Sequence, residues 1–120
     1  MSREINRSIS PNAQEYLANF HASVVQEVKD AIAANDVVVI GMSINTPVKR
    51  VRKALESANI DYTYLEYGGY FSQWKERLAI KLWSGWPTYP QVFVKGQLIG
   101  GNVLTRKALA DGTLQQRLGK

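Results

Sequence analysis

The sequence of 120 residues contains no cysteine and only one histidine, His21. A chain without thiols forms no disulfide, holds no thiolate-bound metal and performs no cysteine-based redox or acyl-transfer chemistry, so these classes of function are excluded. A single imidazole also rules out a zinc site built on several histidines and removes the usual serine–histidine pairing. The sequence therefore predicts no catalytic residue of these kinds and no metal site.

Long apolar runs are also missing. No stretch approaches the roughly 18 apolar residues that span a bilayer, and the N-terminal region lacks the short apolar core of a signal peptide. We therefore expect a cytoplasmic protein without a membrane segment. Low-complexity tracts and internal repeats are absent too, and the length suits a single domain with its own hydrophobic core.

Acidic residues are in the minority, since 10 Asp and Glu face 15 Lys and Arg and leave a formal charge of +5. This balance favours anionic ligands or partners. Two interpretations of the densest basic cluster stay open, a solvated helix face or a docking site for an acidic protein partner. We do not expect nucleic acid, because neither a recognised motif nor interleaved aromatic residues accompany the cluster. The cluster consists of Lys49, Arg50, Arg52 and Lys53, and Lys95, Arg106 and Lys107 are candidates to extend it.

The N-terminal part of the chain predicts a helix that precedes the main domain. Residues 1–9 are polar and unpatterned, and we expect them to be disordered. Ser10 followed by Pro11 is a typical helix start, and the predicted helix covers residues 10–35. Its apolar face either packs on the sheet or contacts a second subunit. This face is formed by Tyr16, Phe20, Val24, Val28 and Ile32.

Residues 36–66 follow a strand–helix–strand pattern. The unbroken apolar run Val37–Ile40 predicts a strand that is covered on both faces, as in a parallel pair. Thr46-Pro47 marks the start of a helix, and residues 60–66 predict a second strand rich in Tyr and β-branched side chains. The buried face of the intervening helix is predicted to be Val48, Val51, Leu55 and Ala58.

The second half of the chain predicts a helix, a hairpin and a final helix. The hairpin turns at Lys95-Gly96, and the final helix ends near Ala110. The order of elements predicts an α/β fold of the thioredoxin type, a central mixed four-stranded sheet with helices on both faces, although other small α/β folds share this pattern. The helix before the hairpin ends near Gly85 and should bury a stripe of Phe71, Trp74, Leu78 and Leu82.

Residues 85–101, GWPTYPQVFVKGQLIGG, carry a specific family resemblance. The string WPT-aromatic-PQ, followed by VKG and GG, resembles the glutaredoxins and is most similar to the monothiol glutaredoxins. The resemblance extends from about Asp36 to Leu118. It implies a glutaredoxin-like domain over residues 36–118 with the thioredoxin fold, and it leaves the N-terminal helix outside as an extension.

The resemblance also locates the residue with which the family performs its chemistry. It aligns the reactive Cys with Asn45 and the last position of the thiol motif with Val48. In the family that Cys lies at a helix N-terminus, where the helix dipole and free N–H groups favour the thiolate. Asn45 cannot attack a disulfide. A [2Fe–2S] cluster, which monothiol relatives bind through that Cys and glutathione, loses its protein ligand here.

Part of a glutathione groove is implied as well. By resemblance, Thr88 and the Tyr89-Pro90 step, with a cis bond before the proline, present backbone groups to the cysteinyl part of glutathione. Arg77 matches a clamp for the glycyl carboxylate, because a guanidinium binds both carboxylate oxygens at once. The turn Gly100-Gly101-Asn102 matches the site of the γ-glutamyl carboxylate.

These residues have structural interpretations too. Asn45 and Thr46 suit helix caps, Arg77 suits a solvated helix face or an ion pair, and the glycines suit a tight turn. Met42 and Val103 stand where the family usually has a Lys and often an Asp, so we expect weak glutathione binding at best. The predicted ligand-binding residues are Asn45, Thr46, Arg77, Thr88, Tyr89, Pro90, Gly100, Gly101 and Asn102.

Two hypotheses of function follow. The first is a non-catalytic module that binds glutathione, a thiol peptide or a protein partner on a glutaredoxin scaffold. The alternative is a glutathione-dependent thiol-disulfide oxidoreductase or an iron–sulfur-related protein whose Cys is lost in this chain. A disulfide reduction assay on the chain and on Asn45→Cys discriminates between them, because turnover that appears only with the restored thiol would show that the scaffold still supports the chemistry of the second class.

Overall fold

The structure is a computed structural model, and it describes residues 2–120. Residues 2–10 form no helix or strand and are exposed. The helices are α1 (Pro11–Asn19), α2 (Ala22–Ala34), α3 (Thr46–Ser57), α4 (Trp74–Ser84), α5 (Asn102–Ala110) and α6 (Thr113–Arg117). The strands are β1 (Val37–Gly41), β2 (Thr63–Glu66), β3 (Gln91–Val94) and β4 (Gln97–Gly100).

The four strands form one mixed sheet in the order β2-β1-β3-β4. The pair β1–β2 is parallel, whereas β1–β3 and β3–β4 are antiparallel. Helices cover both faces, which confirms the predicted thioredoxin-type architecture. Among residues 2–120, no helix combines the length and the apolar character that crossing a membrane requires.

The central strand β1 explains the unbroken apolar run of the sequence. Successive side chains of a strand point to opposite faces of the sheet. Val38 and Ile40 join the core cluster that contains Val28 of α2 and Ile80 of α4. Val37 and Val39 join the cluster on the other face, where their partners include Val51, Leu55 and Leu114. Both faces of β1 are therefore buried under helices.

The continuous helix predicted over residues 10–35 is wrong. Ser10 caps α1 as expected, since its side chain accepts a hydrogen bond from the Ala13 N–H at 3.2 Å. The helix stops after Asn19, because His21 adopts the left-handed conformation with φ of 47°. The break lets α2 pack on the sheet through Val28, while α1 buries no residue.

The predictions for α3, α4 and the β3–β4 hairpin have different outcomes in the structure. In α3, Val48, Val51 and Leu55 are buried as predicted, whereas Ala58 is the exposed C-terminal cap. The stripe predicted for α4 is wrong, because the helix buries Arg77, Ala79 and Ile80 instead. The predicted turn is confirmed, with φ of 50° at Lys95 and 82° at Gly96, which are the positive values of a tight hairpin. The stripe of Phe71, Trp74, Leu78 and Leu82 is exposed to solvent.

Candidate functional site

The predicted site lies at the edge of the sheet where β1 ends and β3 begins. Ile40 pairs with Gln91 in the antiparallel register. The residues after Ile40 therefore run beside the residues before Gln91, and Met42 and Tyr89 belong to the same core cluster. Topology thus brings the two predicted halves of the groove, the start of α3 and the Tyr89-Pro90 step, to one edge.

Asn45 is the N-terminal cap of α3. It has extended backbone dihedrals, and its side-chain Oδ1 accepts a hydrogen bond from the Val48 N–H at 3.0 Å. This bond satisfies one of the free N–H groups of the first helical turn. Thr46 is the first helical residue and is exposed, so it does not serve as the cap. The cap confirms the structural interpretation of Asn45, and the ligand roles of both residues stay predictions.

The Tyr89-Pro90 peptide bond is cis. Tyr89 and Pro90 are buried, while Thr88 is exposed at the start of the step. The Tyr89 hydroxyl donates a hydrogen bond to the backbone carbonyl of Arg77 on α4. Burial raises the pKa of Tyr89, against the opposing effect of the Arg77 guanidinium, so the hydroxyl stays protonated at neutral pH. This hydroxyl therefore anchors the step to α4 as a hydrogen-bond donor.

The turn Gly100-Gly101-Asn102 joins β4 to α5, with Gly101 as the N-terminal cap. Gly100 has φ of 134°, and a Cβ there would lie 2.8 Å from Leu104 Cδ1. At Gly101 a Cβ would lie 3.4 Å from the Pro90 carbonyl oxygen. Asn102 is half-buried as the first residue of α5. The turn therefore packs directly against the Tyr89-Pro90 step, as the resemblance implies.

Arg77 is neither solvated nor ion-paired, which corrects the structural interpretation of this residue. Its side chain is 8% exposed. Its Nη1 donates hydrogen bonds to the carbonyl oxygens of Tyr67 at 2.8 Å and Ser72 at 2.6 Å. These bonds tie α4 to the loop after β2. In the described range 2–120 no hydrogen bond involves Nε or Nη2 of this guanidinium, which leaves donors for a carboxylate.

A set of exposed apolar side chains beside the site was missed by sequence reasoning. Ile44 directly precedes the cap Asn45 and is 80% exposed. The loop after β2 contributes Tyr70, Phe71 and Trp74, all exposed. The available signal was the pair Gly68-Gly69, which starts a loop, followed at once by aromatic residues. Tyr70 and Phe71 precede α4, which begins only at Trp74, so they are not part of a helical core stripe.

The donor set does not fit an iron–sulfur cluster. Such clusters are held by Cys thiolates or, in one class, by histidines. The chain has no Cys, and Asn45 Oδ1 is already the acceptor for the Val48 N–H. Among residues 2–120, no group of three His, Cys, Asp or Glu side chains is placed to hold a metal ion. We therefore derive no chemistry through a cluster.

Comparison with known proteins identifies the family. The family model described as Glutaredoxin matches residues 49–99. The chain is 46% identical over 119 residues to a glutaredoxin-like protein of Dictyostelium discoideum, covering 99% of this chain and 97% of that protein. The chain belongs to the glutaredoxin family. A probable monothiol glutaredoxin of Legionella pneumophila is 30% identical to it over 69 residues, which cover 58% of this chain and 74% of the relative.

Solved glutaredoxins share the fold. Oxidised glutaredoxin 2 of Chlamydomonas reinhardtii superposes with a TM-score of 0.71 at 26% identity, over 82% of this chain and 92% of that structure. A buckwheat glutaredoxin in complex with glutathione superposes with a TM-score of 0.74 at 24% identity, over 88% and 93% of the two chains. The match to the Dictyostelium protein includes the N-terminal region, so the extension is shared with at least one glutaredoxin-like relative.

Proposed function

We propose that this glutaredoxin-like protein is a redox-inactive binding module of the cytoplasm, whose groove receives glutathione, a thiol peptide or a protein partner. The observation that carries the proposal is the environment of Asn45. The helix N-terminus that stabilises a thiolate in relatives is present, but its N–H group at Val48 is occupied by a side-chain amide. The scaffold is retained while the nucleophile is replaced by a cap.

Glutathione is the first ligand to consider, because a buckwheat glutaredoxin of the same fold forms a complex with it. In this chain the cis step, the Gly100-Gly101 turn and the start of α5 supply backbone groups that need no particular side chain. Arg77 supplies the only cationic side chain among the predicted residues, through Nε and Nη2. Met42 is buried in the core cluster and offers no charge. We therefore propose that glutathione binds weakly.

A titration with reduced glutathione tests the ligand half of the proposal. Amide chemical shifts of residues 88–102 are followed in the ¹⁵N-labelled protein up to several millimolar. The expected result is a saturable shift of these amides that weakens in Arg77→Lys, because an ammonium lacks the planar fork of the guanidinium. Arg117→Lys on α6 is the matched control. Unmoved amides across the whole titration reject glutathione as a ligand.

The catalytic half is tested by restoring the thiol. Asn45→Cys places a thiol at the start of α3, and Asn45→Ser is the matched control that has a hydroxyl of similar size. In a glutathione-coupled disulfide reduction assay we expect no turnover by the native chain or by Asn45→Ser. Turnover by Asn45→Cys would show that the scaffold still supports the chemistry of the alternative hypothesis. Turnover by the native chain contradicts the proposal.

An acidic protein partner is also proposed, with one correction to its binding residues. Arg52 does not belong to a free basic face. Its Nε donates to the Tyr62 hydroxyl at 3.2 Å, and its guanidinium lies 3.8 Å above the centre of the Tyr64 ring. Lys49, Arg50 and Lys53 are exposed and remain candidates for the contact.

A further inference from the structure

We propose that the partner docks at the corner where β1 and β2 end, and that it presents a protein segment in which apolar side chains are flanked by carboxylates. This inference rests on the proposed function, because it assigns the class of partner to the same site. The contact surface consists of an apolar rim, formed by Ile44, Tyr70, Phe71 and Trp74, and a basic face on the neighbouring helices.

The two segments that form the apolar rim are joined to one another. The Ser43 N–H donates a hydrogen bond to the Gly68 carbonyl oxygen at 2.7 Å. A Cβ on Gly69 would lie 2.7 Å from the Ser43 Oγ. Ile44 and Tyr70 each follow one of these contact residues directly. The two segments that carry the rim residues are therefore adjacent to each other, next to Asn45.

The aromatic side chains of the rim are largely exposed to solvent. Phe71 is fully exposed, and Trp74 is 57% exposed. Contiguous apolar patches on soluble proteins mark interaction sites far more often than isolated ones do. Aromatic residues also dominate the binding energy of protein interfaces. The apolar side chains of a partner fit this part of the surface.

Ile44 provides a second, independent observation, because its backbone is strained. It has φ of 52°, a left-handed conformation that a β-branched residue rarely adopts. Glycine or asparagine adopts this conformation at much lower cost. Strained residues of this kind cluster at ligand clamps and other functional sites. The fold thus bears a cost at Ile44 while its side chain contributes nothing to the core.

The distribution of charge determines the chemistry of the rest of the partner. Helices α3 and α5 together carry six Lys and Arg and one Glu, a surplus that equals the +5 of the whole chain. The remaining residues carry nine cations and nine carboxylates. The two helices pack against each other on one face of the sheet, and α3 begins next to Ile44. The surplus charge therefore lies on α3, which begins next to the rim, and on α5, which packs against α3.

Carboxylates of this chain offset only part of that surplus, since Glu56 acts on Arg52 and Asp111 lies near Lys107. Across residues 2–120 the salt bridge between charged side chains is Lys95–Asp36, and a contact of 3.7 Å joins His21 to Glu76; neither involves α3 or α5. The single carboxylate of α3, Glu56, accepts a hydrogen bond from the Tyr62 hydroxyl.

On α3, Arg52 points to β2 through its contact with Tyr64. The exposed cations of the two helices are Lys49, Arg50, Lys53, Arg106 and Lys107.

A peptide selection tests the class of partner directly. The native protein is immobilised and exposed to a phage-displayed library of random heptapeptides, with counter-selection against the double variant Phe71→Ser/Trp74→Ser. We expect enrichment of peptides that combine Asp or Glu with Leu, Ile, Phe or Trp. A synthetic peptide of the enriched sequence should lose about tenfold or more in affinity on that variant and on Lys49→Glu/Arg50→Glu. The matched control is Tyr16→Ser/Leu17→Ser, which removes two other exposed apolar side chains, from α1, and should leave the affinity unchanged.

Ile44→Asn separates function from stability, since Asn tolerates the left-handed conformation. We expect this variant to have a higher thermal unfolding midpoint and a weaker affinity for the same peptide. Higher stability with unchanged affinity would overturn the role of Ile44.

The inference as a whole is overturned if no peptide is enriched, if the enriched peptides lack carboxylates, or if a labelled single-stranded oligonucleotide binds more tightly than the peptide. Glutathione is monitored through residues 88–102 and the peptide through residues 70–74, which lie outside the predicted glutathione site, so either ligand can fail alone.

Discussion

Helices α3 and α4 have apolar residues at helical spacing, yet they use them in opposite ways. On α3, Val48, Val51 and Leu55 are buried against the sheet. On α4, Leu78 and Leu82 are exposed to solvent, whereas Arg77 is buried. The two helices differ in the number of faces that can pack on the sheet. Every other face of α3 is charged, whereas α4 has a second face, with Ala79 and Ile80, that packs on the sheet equally well.

The contrast shows how a polar anchor selects between two helix faces. Arg77 holds the carbonyl oxygens of Tyr67 and Ser72, and its own carbonyl accepts from the Tyr89 hydroxyl. Turning α4 to bury Leu78 and Leu82 would break these bonds and leave buried polar groups unpaired, which costs more than the exposed apolar surface.

The largest effect is expected from matched truncations on the two helices. Leu55→Ala on α3 removes a fully buried side chain and should lower the free energy of unfolding by about 2–5 kcal/mol. Leu82→Ala on α4 removes a side chain that is 54% exposed, and we expect a change within about 0.5 kcal/mol. Urea unfolding measures both. A large loss in Leu82→Ala would show that the outer face of α4 is covered in solution.

The second prediction concerns the anchor itself. Arg77→Met keeps the aliphatic volume but removes both hydrogen bonds to the loop, and we expect a loss of roughly 1.5–3 kcal/mol. Arg77→Lys should recover only part of it, because the lysine side chain is shorter and its Nζ does not reach the position from which Nη1 donates both bonds. Hydrogen exchange of the amides in residues 67–73 should accelerate in Arg77→Met. Unchanged stability would mean that the guanidinium is not the anchor of α4.

The third prediction compares the N-terminal caps. Asn45→Ala removes the bond to Val48 and should cost about 1 kcal/mol, while Asn45→Asp retains an acceptor and should cost little. The cap of α4, Gln73, makes no side-chain hydrogen bond, so Gln73→Ala should leave stability unchanged within about 0.5 kcal/mol. Thermal unfolding distinguishes the two helices. Equal losses at both caps would contradict the assignment of Asn45.

The smallest effect is a pH dependence on the β2 flank of α3. Burial, followed by the hydrogen bond to Glu66, raises the pKa of Tyr64 to about 12. The ordinary value is near 10, so the folded protein favours the protonated phenol. Its contribution is complete below about pH 10 and is lost as the pH rises through 12. Tyr64→Phe should therefore reduce the loss of stability between pH 10 and 12 in urea unfolding. An identical pH profile for the two proteins counts against the prediction.

Sequence reasoning succeeded where a pattern had one physical solution. The run Val37–Ile40 required cover on both faces and has it. The Lys95-Gly96 turn required positive φ values. The Tyr89-Pro90 step, known through family resemblance, is cis. The break at His21 could not be foreseen, because the apolar spacing continues across it and only the packing of α2 separates the two helices.

For the chemistry of the site, the sequence predicted mainly what is missing, the reactive thiol. Composition alone removed the thiol, and the resemblance placed Asn45 at the position of the nucleophile. The rim was not predictable, because Phe71 and Trp74 have the same apolar character whether they face the sheet or the solvent. Ile44 gave no signal either, since an isoleucine is not a residue from which a left-handed backbone is predicted.

By itself, the sequence determined the order of the elements, the family, the surplus of positive charge and the loss of thiol chemistry. Composition and local spacing are sufficient for the charge, the missing thiol and the order of the elements apart from the break at His21, whereas the family was indicated by the resemblance of residues 85–101 to the glutaredoxins. Only the tertiary structure decided which face of α4 meets the sheet, where Arg77 places its hydrogen bonds, and which apolar side chains remain in solvent beside Asn45. Periodicity specifies that a helix has a buried face, but the choice between two apolar faces depends on the polar groups that each choice would leave unpaired.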